Sequence, residues 1–258
     1  MQNLNTTAEL PAPTWPRNPR SLESGRGVSW WSEGWRVFMA SPALWIGIVV
    51  VALIIFIVLT FVPIVGSIVQ SLIWPAIGGG ILVGCHALAR GQPLVFSHLF
   101  AGFSEGRAAP LLILGLIGML AGLAFGFVVL SFLAGSMGIS GIAGMMTGDP
   151  YTAWQGALAG MSAAALIIVP LAIIAFVLML MAFWFATPLI ALNRADALTA
   201  IKASFDASRK NIGALLLFVL IAIPLAIVAS IPFGLGWLVL WPVMAGGWYA
   251  SWREVFGE

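Results

Sequence analysis

Few side chains in the 258 residues are of types that do chemistry, and their spacing limits what that chemistry can be. There are two histidines, one cysteine and nine carboxylates. A structural zinc site needs four ligands and a redox pair needs two thiols, so Cys85, His86 and His98 can build neither. A haem or pigment needs only one imidazole in an apolar pocket, and His86, near the inner end of a long apolar run, could supply it. His86 also reads as a plain hydrogen-bonded histidine, and His98 as a solvated one on the polar side of a short helix. Met145-Met146 lacks the Cys or His neighbours of a copper site. Gly138-Ile139-Ser140-Gly141 lacks the flanking glycines of a nucleophile elbow, and no Gly-Lys-Ser phosphate loop occurs. With no catalytic constellation, the expectation is a protein that is not an enzyme, with no cofactor and no metal.

The elements that would hold these residues follow from where charge is missing. Hydrophobic residues make up 61% of the chain and charged ones 8%, and the mean hydropathy is +1.07. Soluble domains carry about 25% charged residues. Eleven Lys and Arg against nine Asp and Glu make no basic surface for nucleic acid. A helix needs about 20 apolar residues to cross a hydrocarbon core. The uncharged stretches Val37 to Ala89, Ala108 to Gly148, Pro150 to Asn193 and Asn211 to Trp252 then hold six spans. These fall near 43–62, 67–89, 110–134, 163–192, 212–231 and 234–251, with tight turns at Pro63 to Gly66 and Pro232 to Gly236. The expected fold is all-α, a polytopic membrane helix bundle with six transmembrane helices. Even parity places both termini together, and all eleven basic residues then share one side, which the positive-inside rule makes cytoplasmic. The opposite side holds only Asp149 of the charged residues. Residues 1–27, with Pro11, Pro13, Pro16 and Pro19, read as a flexible cytoplasmic tail, and residues 28–258 as the membrane domain.

Short amphipathic stretches precede spans 1, 3 and 5 and read as interfacial helices. Trp31, Trp35 and Phe38 form the apolar face of the first, opposite Ser29, Ser32, Glu33 and Arg36. Phe96, Leu99, Phe100 and Phe103 form that of the second, opposite Ser97, His98, Ser104 and Glu105. Leu198, Ile201 and Phe205 form that of the third. Pro93 suits a first-turn position and Asp196 an N-cap, while Trp252 joins the cytoplasmic aromatic belt. Together the elements suggest three parallel repeat units, 29–92, 93–195 and 196–258. Trp74-Pro75 in the first recurs as Trp241-Pro242 in the last, with Trp184 and Pro188 as a weaker middle copy. Glycines at four-residue spacing, Gly80 and Gly84 in one span and Gly118, Gly122 and Gly126 in another, mark candidate helix-packing stripes. The glycine-rich segment 135–162 is expected at the outer interface.

Gly34-Trp35-x-x-Phe38-x-x-x-Pro42, Ala197-x-x-Ala200-x-x-x-Ser204-Phe205 with Asn211, and Trp248-Tyr249-x-x-Trp252-Arg253-Glu254-Val255-Phe256 resemble uncharacterised six-span bacterial inner-membrane proteins. That group is similar to the membrane domain of glycerophosphoryl diester phosphodiesterases. The resemblance implies six spans in a bacterial cytoplasmic membrane and transfers no catalytic residue. With no ionisable group in the span cores, proton-coupled transport is disfavoured. Two readings then compete. One is an accessory subunit or lipid-associated scaffold, with basic loops against anionic headgroups of membrane lipids and a membrane protein or a second copy as partner. The other is a transporter or passive channel for a lipid or hydrophobic small molecule, with a cavity between Pro-broken spans.

Overall fold

The computed structural model describes residues 18–104, 106–136, 142, 144, 146 and 148–257. Glu105, residues 1–17 of the expected tail and residues 137–141, 143, 145 and 147 of the outer segment lie outside them, Met145 and Ser140 included.

The described residues form helices and connecting turns. In chain order these are α1 (Arg26–Met39), α2 (Pro42–Thr60), α3 (Val65–Ala89), a 3-10 helix (Phe96–Phe103), α4 (Ala108–Ser136), α5 (Pro150–Phe183), α6 (Ala186–Asn193), α7 (Ala197–Lys210), α8 (Ile212–Ser230) and α9 (Trp237–Phe256). Five stretches are long and apolar enough to cross a membrane: Pro42–Thr60, Val65–Ala89, Ala108–Phe132, Ala165–Asn193 and Ile212–Ser230. The fourth crosses the gap between α5 and α6. The expected sixth span lies on α9, which is helical but too rich in Trp, Gly and polar residues to join that set. Its surroundings account for this composition. Helices α1, α2, α3 and α8 pack around it, so Gly246, Gly247, Tyr249, Ser251 and Trp252 face protein rather than lipid.

The close approach of α1 to α8 and α9 comes from glycine. A methyl group on Gly27 would be driven into the Ala214 carbonyl oxygen, and one on Gly34 into that of Val243. On α9, a Cβ on Gly246 would sit 2.8 Å from the Gly34 Cα. Against this seam Trp30 is fully enclosed and donates its indole N–H to Glu254 at 3.1 Å, while Trp31 stacks on Phe218 with ring centres 4.6 Å apart. Arg26 pairs with the same Glu254 carboxylate. Burial raises the Glu254 pKa, but the hydrogen bonds from Arg26 and Trp30 outweigh it and hold the carboxyl below the ordinary glutamate range.

Several sequence expectations change here. The end of the expected tail is tied down: Arg20 N donates to Val255 O at 2.8 Å, and Leu22 N donates to the Asn211 side chain at 2.8 Å. Phe38 and Trp252, expected in an interfacial belt, are buried in the protein core, whereas Trp35 stays half-exposed. A helical apolar period shows that a face is covered but not whether lipid or protein covers it. The Phe96–Phe103 segment is 3-10 rather than α, and Pro93 lies in the extended stretch before it. Three residues per turn place Leu99 and Gly102 on one face. There Gly80 lies against the carbonyls of His98 and Leu99, and Gly102 against that of Ala76. Phe96, whose ring lies against Gly47, Phe100 and Phe103 stay partly exposed. On α7, capped by Asp196, the buried face is Ala197, Ala200, Ser204 and Ala207, while Leu198 and Phe205 are turned out. Helix α5 begins at Pro150 behind an Asp149 cap, well before the span start expected at residue 163.

The glycine seam makes a direct prediction. Gly34→Ala forces α1 off α9 and should destabilise the protein by about 1–3 kcal/mol. The same change at Gly122, where nothing lies within 4 Å, should cost no stability. Thermal unfolding of both variants in micelles checks the contrast.

Candidate functional site: an aromatic cavity beside a broken helix

Pro188 has no N–H, so it cannot donate to the carbonyl of Trp184 four residues earlier. The helix breaks at Trp184 and Phe185, between α5 and α6, and nearby side chains re-satisfy the freed groups. The indole N–H of Trp248 donates to Trp184 O at 2.6 Å. Ser204 Oγ sits inside the interrupted ladder, accepting from Phe185 N at 2.9 Å and donating to Met181 O at 2.8 Å, and Ser208 Oγ donates to the same Met181 carbonyl at 3.1 Å. Trp184 in turn donates its indole N–H to Ser251 Oγ at 3.3 Å. Hydroxyls on α7 and indole and hydroxyl groups on α9 thus lock the break in place. Among the described residues no enclosed side-chain nitrogen or oxygen lacks a partner.

Beside the break, α3, α5, α6, α8 and α9 line a partly open cavity of about 370 Å³ within the apolar zone. This is the size range of small-molecule sites. Its walls carry the recurrent Trp-Pro motifs. Trp74 of α3 and Trp241 of α9 stack with ring centres 5.8 Å apart and planes 21° apart. Pro75 lines the same space, and Pro242 is buried beside Trp241. Trp184, from the weaker middle copy, also lines it and meets Trp248 and Phe218 edge-on. Three stretches far apart in sequence therefore converge on one aromatic box. The polar side chain among its lining residues outside the indoles is Thr187. Beside the box, a groove of about 580 Å³ runs between α3, α4 and α5 and shares Trp74, Pro75 and Phe183 with it.

The remaining candidate residues lie elsewhere. His86 shares a hydrogen bond of 3.1 Å with the Tyr249 hydroxyl, with Trp252 edge-on to its ring, away from the aromatic box. Among the described residues no three His, Cys, Asp or Glu side chains gather where a metal ion could sit. Gly80 and Gly84 pack against the 3-10 segment and Leu94. Gly118 approaches Phe183, but Gly122 and Gly126 meet nothing within 4 Å in this chain. Gly122 instead lines the groove.

Sequence reasoning quoted Ser204 only within a resemblance motif, gave it no role, and passed over Ser208. The signal that points to them is Pro188 itself: a proline deep in an apolar helix leaves a carbonyl that some donor must reach. Trp248 was read as part of a resemblance motif and of the aromatic belt, not as a partner of the helix break. Compared with protein-family models, curated proteins and solved structures, the chain matches none.

Replacing Ser204 with Ala strands Phe185 N and removes one of two donors to Met181 O. Chemical denaturation in micelles should show a loss of about 1–3 kcal/mol. Ser204→Thr, which keeps the hydroxyl, should recover part of it.

Proposed function

We propose that this chain is an integral protein of a bacterial cytoplasmic membrane that holds a hydrophobic small molecule or lipid tail in the aromatic cavity, as a carrier or binding protein. The observation that carries this reading is the convergence of Trp74, Trp184 and Trp241 on one 370 Å³ space beside a broken helix. Irregular backbone at membrane depth is tolerated where it is buried in protein or lines a cavity, and discontinuous helices are the usual site builders in transporters. Pro75, Pro242 and the break before Pro188 all adjoin this cavity or the residues that line it. The reading invokes no catalysis and no buried charge.

Helix α9 serves as the sixth crossing in this reading. It follows α8 through the turn at residues 231–236 and packs along α1 and α8, which supports a return to the side where α8 began. Both termini then lie on the cytoplasmic side with the Lys and Arg residues, close to anionic headgroups. The family resemblance drawn from the interfacial motifs points to the same membrane. The open faces of Gly122 and Gly126 favour a second reading, in which the span carrying them contacts a partner membrane protein or another copy as an accessory subunit.

The test fills the cavity. A Cβ on Gly78 would meet the Trp248 ring at 3.6 Å and Thr187 at 3.8 Å, ordinary contact distances, so a longer side chain extends into the open space. Protein purified from native membrane should carry a stoichiometric hydrophobic compound, detected by mass spectrometry of the organic extract. Gly78→Leu should reduce it at least tenfold while the protein still folds. Equal extracts from both proteins would contradict the proposal.

A further inference from the structure

The cavity presents hydrogen-bond donors that nothing in the protein uses. Thr187 is 6% exposed, yet its hydroxyl makes no hydrogen bond to a described residue. No enclosed side-chain oxygen is left unsatisfied, so this hydroxyl reaches open space, and the open space beside Thr187 is the cavity. Trp74, which is 54% exposed, and Trp241 also line the cavity, and neither donates its indole N–H to a described residue. A threonine hydroxyl also accepts, but the indoles only donate. In an apolar zone such groups find partners, because leaving one unmade costs more than the bond itself contributes. The missing partner is therefore a ligand with acceptor oxygens.

Shape narrows the class. Indole faces and edges surround the space, and aromatic walls of this kind pair best with another flat ring. The groove that shares Trp74, Pro75 and Phe183 leads away from the box along α4. Gly118 and Gly122 form part of its wall there, and Gly122 leaves a width that a side chain would close. The groove also reaches Ser67 and Ser71 near the start of α3, but both hydroxyls donate to their own helix, to Ile64 O at 2.7 Å and Ser67 O at 2.9 Å. With those groups satisfied, the groove suits a hydrocarbon tail.

Resting on the cavity-binding reading, we infer that the ligand is a prenylated quinone-type lipid: its flat ring lies in the aromatic box, its carbonyl oxygens accept from Thr187 and an indole, and its tail occupies the Gly118–Gly122 groove. The inference concerns holding the molecule and involves no redox step. It explains why Gly122, with nothing within 4 Å, lines the groove beside the box.

The test uses the full chain in lipid bilayer discs, titrated calorimetrically against empty discs. The probes are a methyl-naphthoquinone with one prenyl unit, the same ring without a tail, and an oxygen-free methyl-naphthalene with the same tail. The tailed quinone should bind at least tenfold more tightly than the oxygen-free analogue. Thr187→Val, which keeps the shape and removes the hydroxyl, should weaken the quinone about three- to tenfold and leave the oxygen-free analogue unchanged. Gly122→Leu should weaken the tailed quinone and spare the tail-less ring. If the oxygen-free analogue binds as well as the quinone and Thr187→Val has no effect, the quinone assignment falls while the cavity reading stands. If no probe binds, both fall.

Discussion

A backbone carbonyl or amide away from water must find a partner, and the architecture around the cavity follows from how this chain meets that demand at Trp184 and Phe185. Pro188 removes one ladder bond, and the helix parts there. The groups released are taken up by Ser204 and Ser208 from α7 and by Trp248 from α9. Two elements that could have lain on the surface are thereby bound into the bundle. The same interruption turns α6 so that Thr187 lines the space walled by Trp74 and Trp241. A continuous helix would leave Trp248 and the two serines without their acceptors.

Glycine is used in two opposite ways. At Gly27, Gly34, Gly80, Gly102 and Gly115 the missing side chain lets one backbone lie directly on another, and any Cβ would collide with main-chain atoms. These positions pin α1 to α8 and α9, the 3-10 segment to α3, and α4 to α3. At Gly122 and Gly126 the missing side chain leaves room instead. Backbone-on-backbone seams close part of the bundle, and an open groove remains beside α4. The ionic contacts Arg26–Glu254 and Arg253–Glu33 join α1 to the end of α9.

Much of this was legible in the sequence because charge avoidance and helix length are strong constraints. Five of the six expected spans correspond to helices long and apolar enough to cross, and the Trp-Pro recurrence picked out residues that do meet in space. The sixth was legible as a helix, but Trp, Tyr and Gly on α9 obscure its hydropathy because its neighbours are protein. The interfacial faces were harder to read. An amphipathic period on α1 or α7 predicts a covered face without saying what covers it, so Trp252 and Phe38 were assigned to an interfacial belt, and the apolar face of α7 was read as Leu198, Ile201 and Phe205 rather than as its buried Ala and Ser residues. Four-residue glycine spacing was equally ambiguous, since tight packing and empty space carry one signature. The site was legible in its aromatic parts and hidden in its polar ones. Ser204 and Thr187 are unexceptional hydroxyls until Pro188 and the cavity give them something to do.

The account rests on an open, aromatic-walled space held beside a locked helix break. An experimental density map of the full chain in a lipid bilayer examines this most directly. The account predicts a break at Trp184 and Phe185 with the Ser204 side chain bridging it, and non-protein density between the Trp74–Trp241 stack and Thr187. A continuous helix through residues 180–190, or indole rings collapsed together with no space between them, would contradict it.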